Sequence, residues 1–356
     1  MNNYRLLLGF TALFTACMPL HAQFMLEADT RVGIEKSVNA GLDYLAKSLT
    51  DEGAFDGNHG QTTAVPALAG MAFLSAGHIP GEGPYGDTIN RIIDYVLAHA
   101  EKSNIGSTQF TAYYGNTQHG RMYAHSIATL FLSEVSGMVD EARQEKINEQ
   151  LPDAVRLILD AQAVKKSDQH AGGWRYAPSS DDSDMSCSGW ALMALRSARL
   201  NGAPVPDHAI DRAVAYVKGK HDKDQGSFGY QNGSNNAETL TGAGLLCLEL
   251  CGRHAEPESL RAANYLKGKF RNLPNQERAF YGLYYTSQGL FQLGGETWDE
   301  FQKWMYDTWI PRQKSDGSWD HGEEKSPPYQ TSLCILAFTV PYRQLPIYQR
   351  DETVDE

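Results

Sequence analysis

Two acids and a histidine lie where proton-transferring side chains would be useful, beside the starts of segments rich in Ala and Leu. Asp184, Glu238 and His125 precede or begin three such segments. A carboxyl group that is partly desolvated in a cavity has a raised pKa and can donate a proton, so Asp184 is the candidate acid. His125 is the candidate partner base or orienting group, and Glu238 is a further candidate for the catalytic set.

The same three residues also have a structural interpretation. A helix N-terminus favours carboxylates, so Asp184 and Glu238 can act as caps that neutralise the helix dipole. A single histidine on a helix is more often a hydrogen-bonded core residue than a catalytic one, and His125 fits that description. The sequence predicts that these residues lie near helix ends and leaves their role open.

Aromatic residues near the same segments are candidates for the walls of a ligand cavity. Such walls stabilise cationic intermediates or stack against sugar rings. The candidate ligand-binding residues are Tyr123, Trp190, Tyr281, Tyr284 and Tyr329. For Trp174, Phe228 and Trp319, which follow glycines in loops, we favour a structural role in which they fasten one helix of a pair to the other.

The cysteines do not predict a disulfide scaffold or a metal site. Four of the five cysteines lie beyond the N-terminal segment, too few to staple a chain of this length. Cys247 and Cys251 are one helical turn apart and precede His254, but zinc sites usually bring further ligands with loop-type spacing. Buried, small apolar side chains are the preferred interpretation, and we expect neither a metal nor a cofactor.

The first residues resemble an export signal. Residues 1–22 are predicted to be a signal peptide, with Arg5 before the apolar stretch Leu6–Phe14 and cleavage after Ala22. The alternative is a lipobox that ends at Cys17, which would then carry a lipid anchor. The apolar stretch is too short to cross a bilayer and no later one is long enough, so we expect an exported protein (periplasmic, secreted or lipid-anchored) without a transmembrane span.

The overall composition is that of an acidic globular protein. The chain has 356 residues, of which 42% are hydrophobic, enough for one large domain with a substantial core. Its formal net charge is −12, and −13 without residues 1–22. A chain this acidic repels nucleic acid, so we expect no nucleic-acid partner. The expected partner is a small-molecule or glycan ligand in a central cavity.

An internal repeat predicts the elements that position these residues. Each unit consists of an amphipathic helix with an aromatic–aliphatic pair, a loop that often carries glycine and an aromatic residue, and a more apolar helix that ends near glycine. The unit occurs six times, and its glycine-marked boundaries are 42 to 65 residues apart. The predicted second helices are Ala64–Gly77, His125–Gly137, Ser186–Gly202, Leu240–Gly252, Tyr281–Gly294 and Thr331–Pro341.

The repeats predict an all-α fold, an (α/α)6 toroid in which six helical hairpins form a closed double ring. The second helices are apolar on all sides, so they are expected to lie inside the ring around a central cavity. An open solenoid would need polar capping repeats, and the first and last units are no more polar than the others. We expect one toroid domain over residues 23–350 and an acidic tail over residues 351–356.

One repeat carries a recognisable signature. The stretch from Gln313 to Trp319 has the spacing Gln-x-x-x-Gly-x-Trp, and Gln162 with Gly173 and Trp174 forms a looser copy. This pattern resembles the repeats of squalene and oxidosqualene cyclases and of protein prenyltransferase β subunits, which belong to the terpenoid cyclase and prenyltransferase toroid superfamily. The chain is similar over nearly its whole length to exported bacterial proteins with prenyltransferase/squalene oxidase repeats.

The catalytic motifs of that superfamily are incomplete. Class II terpene cyclases carry Asp-x-Asp-Asp, whereas the nearest stretch here, residues 181–184, reads Asp-Asp-Ser-Asp. The Asp-x-Cys pair of the prenyltransferase zinc site and the Cys-Gly-Glu-Gln thioester of complement-like toroids are both absent from the sequence. Squalene cyclases are also about twice as long, with two helical barrels.

Three functional classes therefore remain open from the sequence. The resemblance implies a squalene cyclase-like or prenyltransferase-like protein that binds a hydrophobic or isoprenoid-like ligand, with acid-initiated cyclase-type chemistry. A polysaccharide lyase or hydrolase on an α/α toroid is the alternative, for which Asp182, Asp184 and Glu238 are the available acids. The third class is a binding protein without catalysis.

Overall fold

Twelve α-helices make up most of the described chain. The structure is a computed structural model, and it describes residues 28–115, 121–254, 256–321 and 325–349. The predicted signal peptide, residues 1–22, and the predicted acidic tail, residues 351–356, lie outside this range. No helix among the described residues is long and apolar enough to span a membrane.

The helices alternate between an outer and an inner layer. The outer helices are α1 (Ala28–Ser48), α3 (Gly86–Ala98), α5 (Glu141–Ala163), α7 (Asp207–Lys218), α9 (Pro257–Lys269) and α11 (Gly295–Trp309). The inner helices are α2 (Ala64–Ser75), α4 (Arg121–Val135), α6 (Met185–Leu200), α8 (Ala237–Leu250), α10 (Ala279–Leu293) and α12 (Pro327–Thr339). Short 3-10 turns follow at Phe270–Asn275, Ile310–Arg312, Val340–Tyr342 and Pro346–Tyr348.

Burial separates the two layers in the way that the apolar patterns predict. Every residue of α2 from Val65 to Ser75 is buried, so this helix has no solvent-facing side. Outer helix α3 is amphipathic instead, with Ile89 and Ile93 on its buried face and Asn90 and Asp94 only partly buried. The more apolar helix of each hairpin therefore lies inside.

The inner helices form a closed ring. Each inner helix contacts the next along the chain, and α12 contacts α2. Gln313, after α11, donates from Nε2 to the carbonyl oxygen of Ser37 in α1 (2.8 Å), as Gln162 of α5 does to that of Ala209 in α7 (2.9 Å). The last and first units are thus joined like two internal units, which confirms the predicted toroid.

The loop aromatics fasten outer helices to inner ones, as expected. The Trp174 indole donates to the carbonyl oxygen of Ile158 in α5 (2.8 Å), while its backbone N–H donates to the Ser188 hydroxyl of α6 (3.0 Å). Trp319 makes the equivalent pair of bonds to α11 and α12, and the Phe228 N–H donates to a threonine of α8. These aromatics hold the hairpins together.

The glycine of the repeat signature is required by a close backbone contact. Gly317 has φ +92°, and a Cβ atom there would lie 2.2 Å from the carbonyl oxygen of Ala40 in α1. Gly172 has φ +89° and would meet Arg212 of α7 at the same distance. Only glycine accommodates both the left-handed conformation and the approach of the next outer helix.

A β-hairpin that the sequence analysis did not predict interrupts the helical pattern between α3 and α4. Strands β1 (Glu101–Ile105) and β2 (Thr108–Tyr113) pair antiparallel. The hairpin packs on α5, where Asp153 accepts hydrogen bonds from the backbone N–H groups of Thr111 (2.6 Å) and Ala112 (3.1 Å). The extra length of this repeat is therefore a small, attached sheet.

Candidate ligand site at the mouth of the ring

The N-terminal ends of the inner helices open towards one mouth of the ring, where two long loops cover α4 and α6. The N–H of Met122 in α4 donates to the carbonyl oxygen of Tyr176 (3.0 Å), and that of Met185 in α6 donates to Tyr230 (2.8 Å). The first N–H groups of a helix have no acceptor within the helix and need one from elsewhere. The carbonyl groups of the two loops supply these acceptors, and this places Tyr176 and Tyr230 at the mouth.

Asp184 is the N-cap of α6. Its Oδ1 accepts hydrogen bonds from the N–H of Cys187 (2.9 Å) and from the Ser186 hydroxyl (2.6 Å), so the capping interpretation is confirmed. The side chain is 0% exposed, and its Oδ2 has no hydrogen-bond partner in the described chain. Oδ2 forms an ion pair with Arg175, whose Nε lies 3.5 Å away.

Arg175 lies between two acids and two tyrosine rings. Its Nη1 is 3.5 Å from Asp182 Oδ2 and, like Asp184 Oδ2, is buried without a hydrogen bond in the described residues. The guanidinium carbon lies 4.6 Å from the ring centre of Tyr176 and 5.4 Å from that of Tyr230. The two tyrosine hydroxyls are hydrogen-bonded to each other. We refer to Arg175, Tyr176, Asp182, Asp184 and Tyr230 as the mouth cluster.

Burial controls the protonation chemistry of the mouth cluster. Desolvation raises the pKa of the Asp184 carboxyl, while the hydrogen bonds from Ser186 and Cys187 and the charge of Arg175 act in the opposite direction. Burial also raises the pKa of the Tyr230 hydroxyl, and its bond to Tyr176 adds to that shift. Asp184 thus retains a proton to a higher pH than an exposed aspartate does.

Three of the predicted ligand-binding tyrosines adjoin the mouth cluster. Tyr123 donates to the Ser186 hydroxyl, which in turn donates to Asp184. The Tyr123 ring is 5.9 Å from that of Tyr176. The Tyr281 hydroxyl donates a long hydrogen bond (3.5 Å) to the carbonyl oxygen of Ser186. Burial raises the pKa of Tyr281, and the nearby hydroxyl of Tyr329 adds to that shift. These three side chains extend the cluster towards α10 and α12.

The two deeper aromatics do not wall a hollow. Trp190 and Tyr284 stack with ring centres 5.3 Å apart, and Tyr285 packs edge-on against both. All three are at most 2% exposed. Inner helices α8 and α10 also approach closely, since a Cβ on Gly242 would lie 2.5 Å from the N atom of Thr286. The expected central cavity is filled here by aromatic side chains that contact one another.

His125 and Glu238 lie apart from Asp184 in the hydrogen-bond network. The His125 ring accepts from the N–H of Tyr114 (3.2 Å) and contacts the carbonyl oxygen of Ala154 (3.0 Å), and burial lowers its pKa to about 4. Glu238 accepts from the side chains of Asn272 and Gln276 (2.6 and 2.8 Å). The structure therefore gives each a structural partner, and their catalytic roles stay predictions.

The mouth cluster includes three residues that were not predicted as site residues: Arg175, Tyr176 and Tyr230. A signal was present, because Tyr176 and Tyr230 each stand two residues after a loop aromatic of the repeat, Trp174 and Phe228. In an extended loop, every second side chain points to the same side. The repeat register could therefore have singled out both tyrosines as equivalent positions of neighbouring units.

Cys247, Cys251 and His254, the residues considered as metal ligands, lie in α8 and just after it. Cys247 and Cys251 are buried and unpaired in disulfides, and His254 Nδ1 lies 2.5 Å from Glu249 Oε2. No group of three or more His, Cys, Asp or Glu side chains in the described residues could hold a metal ion.

Comparisons with known proteins show the fold. No protein-family model matches the chain, and no curated protein sequence does. Among solved structures, a glycosidase variant in complex with glucose is similar, with 12% identity, a TM-score of 0.56 and coverage of 90% of this chain and 100% of that one. At that identity the similarity supports the toroid alone.

A second group of similar structures belongs to a terpene cyclase. The type II terpene cyclase MstE from Scytonema, as a variant in complex with geranylgeranyl dihydroxybenzoate, has 13% identity and a TM-score of 0.52, covering 90% of this chain and 100% of that one. Another variant of MstE without ligand has 14% identity and a TM-score of 0.55, covering 88% and 98%. The same ring therefore occurs in glycosidases and in cyclases.

Proposed function

We propose that the protein binds a carbohydrate at the mouth cluster, where Arg175 and Asp184 recognise a sugar hydroxyl. One observation carries the proposal: Arg175 Nη1 and Asp184 Oδ2 are both buried without a hydrogen-bond partner in the described part of the chain. Buried polar atoms are rarely left in that state. A hydroxyl both donates and accepts, so one hydroxyl group can satisfy the arginine donor and the carboxylate acceptor.

The tyrosines of the mouth cluster provide the second element of sugar recognition. Tyr176 is 38% exposed and Tyr230 is partly exposed, so a sugar ring can reach an aromatic face from solvent. Aromatic faces pack well against the C–H faces of sugars. Arg175 Nη1 and Asp184 Oδ2 are buried, so a sugar must displace part of the mouth cluster to reach them. In this proposal the sugar breaks the hydrogen bond between the Tyr176 and Tyr230 hydroxyls. The similarity to a glycosidase that holds glucose is in keeping with this ligand class.

A glycan-binding measurement tests the proposal. The protein and its variants would be titrated with a panel of neutral and acidic oligosaccharides. We expect Tyr176→Ala to weaken binding about tenfold and Asp184→Asn to weaken it about 10- to 100-fold, since Asn presents a donor or a poorer acceptor to Arg175. Tyr342→Ala, which removes a partly buried tyrosine from the other end of the ring, is the matched control.

The binding measurements distinguish a carbohydrate site at the mouth cluster from its absence. Binding that is weakened by both mouth substitutions and unchanged in Tyr342→Ala supports the site. Absence of binding across the panel, or equal binding in Tyr176→Ala and the unsubstituted protein, contradicts the proposal. Release of new reducing ends from the oligosaccharides would show that the protein also hydrolyses them. Asp182 and Asp184, both 3.5 Å from Arg175, are the paired carboxyls for that reaction.

A second candidate is acid-initiated cyclisation of an isoprenoid, as in squalene cyclase-like proteins. The observation that favours it is the raised pKa of Asp184, which is connected through Ser186 to Tyr123. The packed rings of Trp190 and Tyr284 oppose it, because they occupy the place of a deep apolar cavity. Incubation with geranylgeranyl-substituted phenols and analysis by mass spectrometry tests it; turnover that Asp184→Asn abolishes would support it.

We further propose that the protein acts outside the cytoplasm, as the predicted signal peptide implies. Cell fractionation tests this location, and Cys17→Ser distinguishes the two predicted forms of processing. If Cys17 carries a lipid, the variant moves from the membrane fraction to the soluble fraction. If cleavage follows Ala22, the distribution does not change.

A further inference from the structure

The end of the ring opposite the mouth is crossed by one short segment. After α12 and its 3-10 turn, Arg343 adopts a left-handed conformation (φ +53°) and the chain turns back across the inner helices. We refer to residues 343–349 as the closing segment. Its Leu345, Ile347 and Tyr348 are each at most 3% exposed. The segment is therefore packed into the ring and does not trail into solvent.

Two opposite inner helices hold the closing segment through hydrogen bonds. The N–H of Ile347 donates to Glu134 Oε2 of α4 (3.1 Å), and Gln292 of α10 donates to the carbonyl oxygen of Tyr348 (3.0 Å). The 3-10 turn of the segment also packs against α6. Because α4 and α10 face each other across a ring of six helices, a segment bound to both closes the opening.

Glu134 is the ionisable group beneath the closing segment. It is 1% exposed, and its two oxygens accept from the Ser197 hydroxyl of α6 and from the N–H of Ile347. The titratable groups that face it are the hydroxyls of Tyr284 on α10 and Tyr348 on the segment itself. Arg196, Glu249 and His254 line a small neighbouring cavity together with Gln292 and Ile347.

We propose that the closing segment is a releasable plug for this end of the ring and that Glu134 is its latch. A protonated Glu134 is neutral and can remain buried under Ile347. An ionised Glu134 needs more hydration than two hydrogen bonds supply, and release of the segment gives it access to water. The plug therefore opens when Glu134 loses its proton.

The pH range of the latch follows from the burial of Glu134. Desolvation raises the pKa of this carboxyl from 4.5 to about 7. A raised pKa in the closed state means that closure is favoured most below about 4.5 and loses stability as pH rises to about 7. Over that range the opening equilibrium should increase on the order of a hundredfold and then level off.

Amide hydrogen exchange of the whole protein tests the latch. Exchange in residues 343–349, corrected for the intrinsic pH dependence, should accelerate on the order of a hundredfold between pH 4.5 and 7. Glu134→Gln keeps a hydrogen-bonding group of the same shape but cannot ionise, so its corrected exchange should be independent of pH. Gln292→Leu is the matched control: it removes a bond to the segment and should accelerate exchange equally at all pH values.

Three results would overturn the proposal. If the corrected exchange of residues 343–349 does not change with pH in the unsubstituted protein, Glu134 does not act as a latch. The same pH dependence in Glu134→Gln assigns the effect to another group, such as the His254–Glu249 pair of the neighbouring cavity. Exchange that accelerates equally in the inner helices and in residues 343–349 shows global unfolding instead of release of a plug.

Discussion

Each end of the inner ring has a buried carboxyl group, Glu134 at one end and Asp184 at the other, and the chain satisfies the two differently. At the end with the closing segment, both oxygens of Glu134 accept hydrogen bonds from the chain itself. At the mouth, only one oxygen of Asp184 does so, and the other faces an arginine at 3.5 Å without a hydrogen bond. Desolvation raises the pKa of both groups.

The difference indicates what each end is built for. A buried carboxyl whose oxygens are all bonded by its own chain contributes to packing and responds mainly to pH. A buried carboxyl oxygen without a hydrogen bond, beside an arginine nitrogen that also lacks one, is incomplete until another molecule bonds to both. The same burial therefore produces a latch at one end and a recognition site at the other.

The largest expected effect concerns the aromatic interior that separates the two ends. Trp190→Ala removes a 1% exposed ring that stacks on Tyr284, and it should lower the free energy of unfolding by about 3–5 kcal/mol. Tyr176→Ala, at the exposed mouth, should lower it by no more than about 1 kcal/mol. Chemical denaturation checks both values; equal losses would mean that the interior is looser than the stacking indicates.

The next effect is the pH dependence of stability at the closed end. Because the pKa of Glu134 is raised from 4.5 to about 7, its contribution is complete below about pH 4.5 and declines until about pH 7. The free energy of unfolding should fall by up to about 3 kcal/mol over that range from this group. Denaturant titrations of Glu134→Gln at both pH values should lack this decline, and a decline of the same size would assign it elsewhere.

The smallest expected effect distinguishes the two roles of Asp184. Asp184→Ala removes the α6 cap and should lower the free energy of unfolding by about 1–2 kcal/mol. Asp184→Asn retains an acceptor for the Cys187 N–H, so it should lower it by less than Asp184→Ala while still weakening ligand binding. If urea unfolding showed equal destabilisation by Asn and Ala, Oδ2, the oxygen that does not cap α6, would also stabilise the fold.

The sequence was sufficient to predict the ring, because the information that specifies it is local and repeated. The glutamine, glycine and tryptophan of the signature contact adjacent helices, and the bonds of Gln162 recur at Gln313. The predicted start of α2 at Ala64 is confirmed, whereas the other five inner helices begin one to four residues before their predicted starts. Helix α4 begins at Arg121 and not at His125, since its first turn is fixed by the loop that carries Tyr176.

The β-hairpin, and the contact of Arg175 with Tyr230 in the mouth cluster, could not be predicted because they depend on residues far apart in the chain. The hairpin is held by Asp153 of α5, some forty residues later in the chain. Arg175 meets Tyr230 only after two loops from different repeats fold over the same mouth. The aromatic packing of the interior depends on how closely α8 and α10 approach each other at Gly242. The repeat pattern predicts the number of helices but not the distance between them.

Amide hydrogen exchange with and without a bound oligosaccharide tests the contrast between the two ends most directly. The account predicts that the sugar slows exchange in the mouth loops, residues 174–186 and 228–232, and leaves residues 343–349 unchanged. Slower exchange centred on residues 343–349, or bound sugar without any change in the mouth loops, would contradict it.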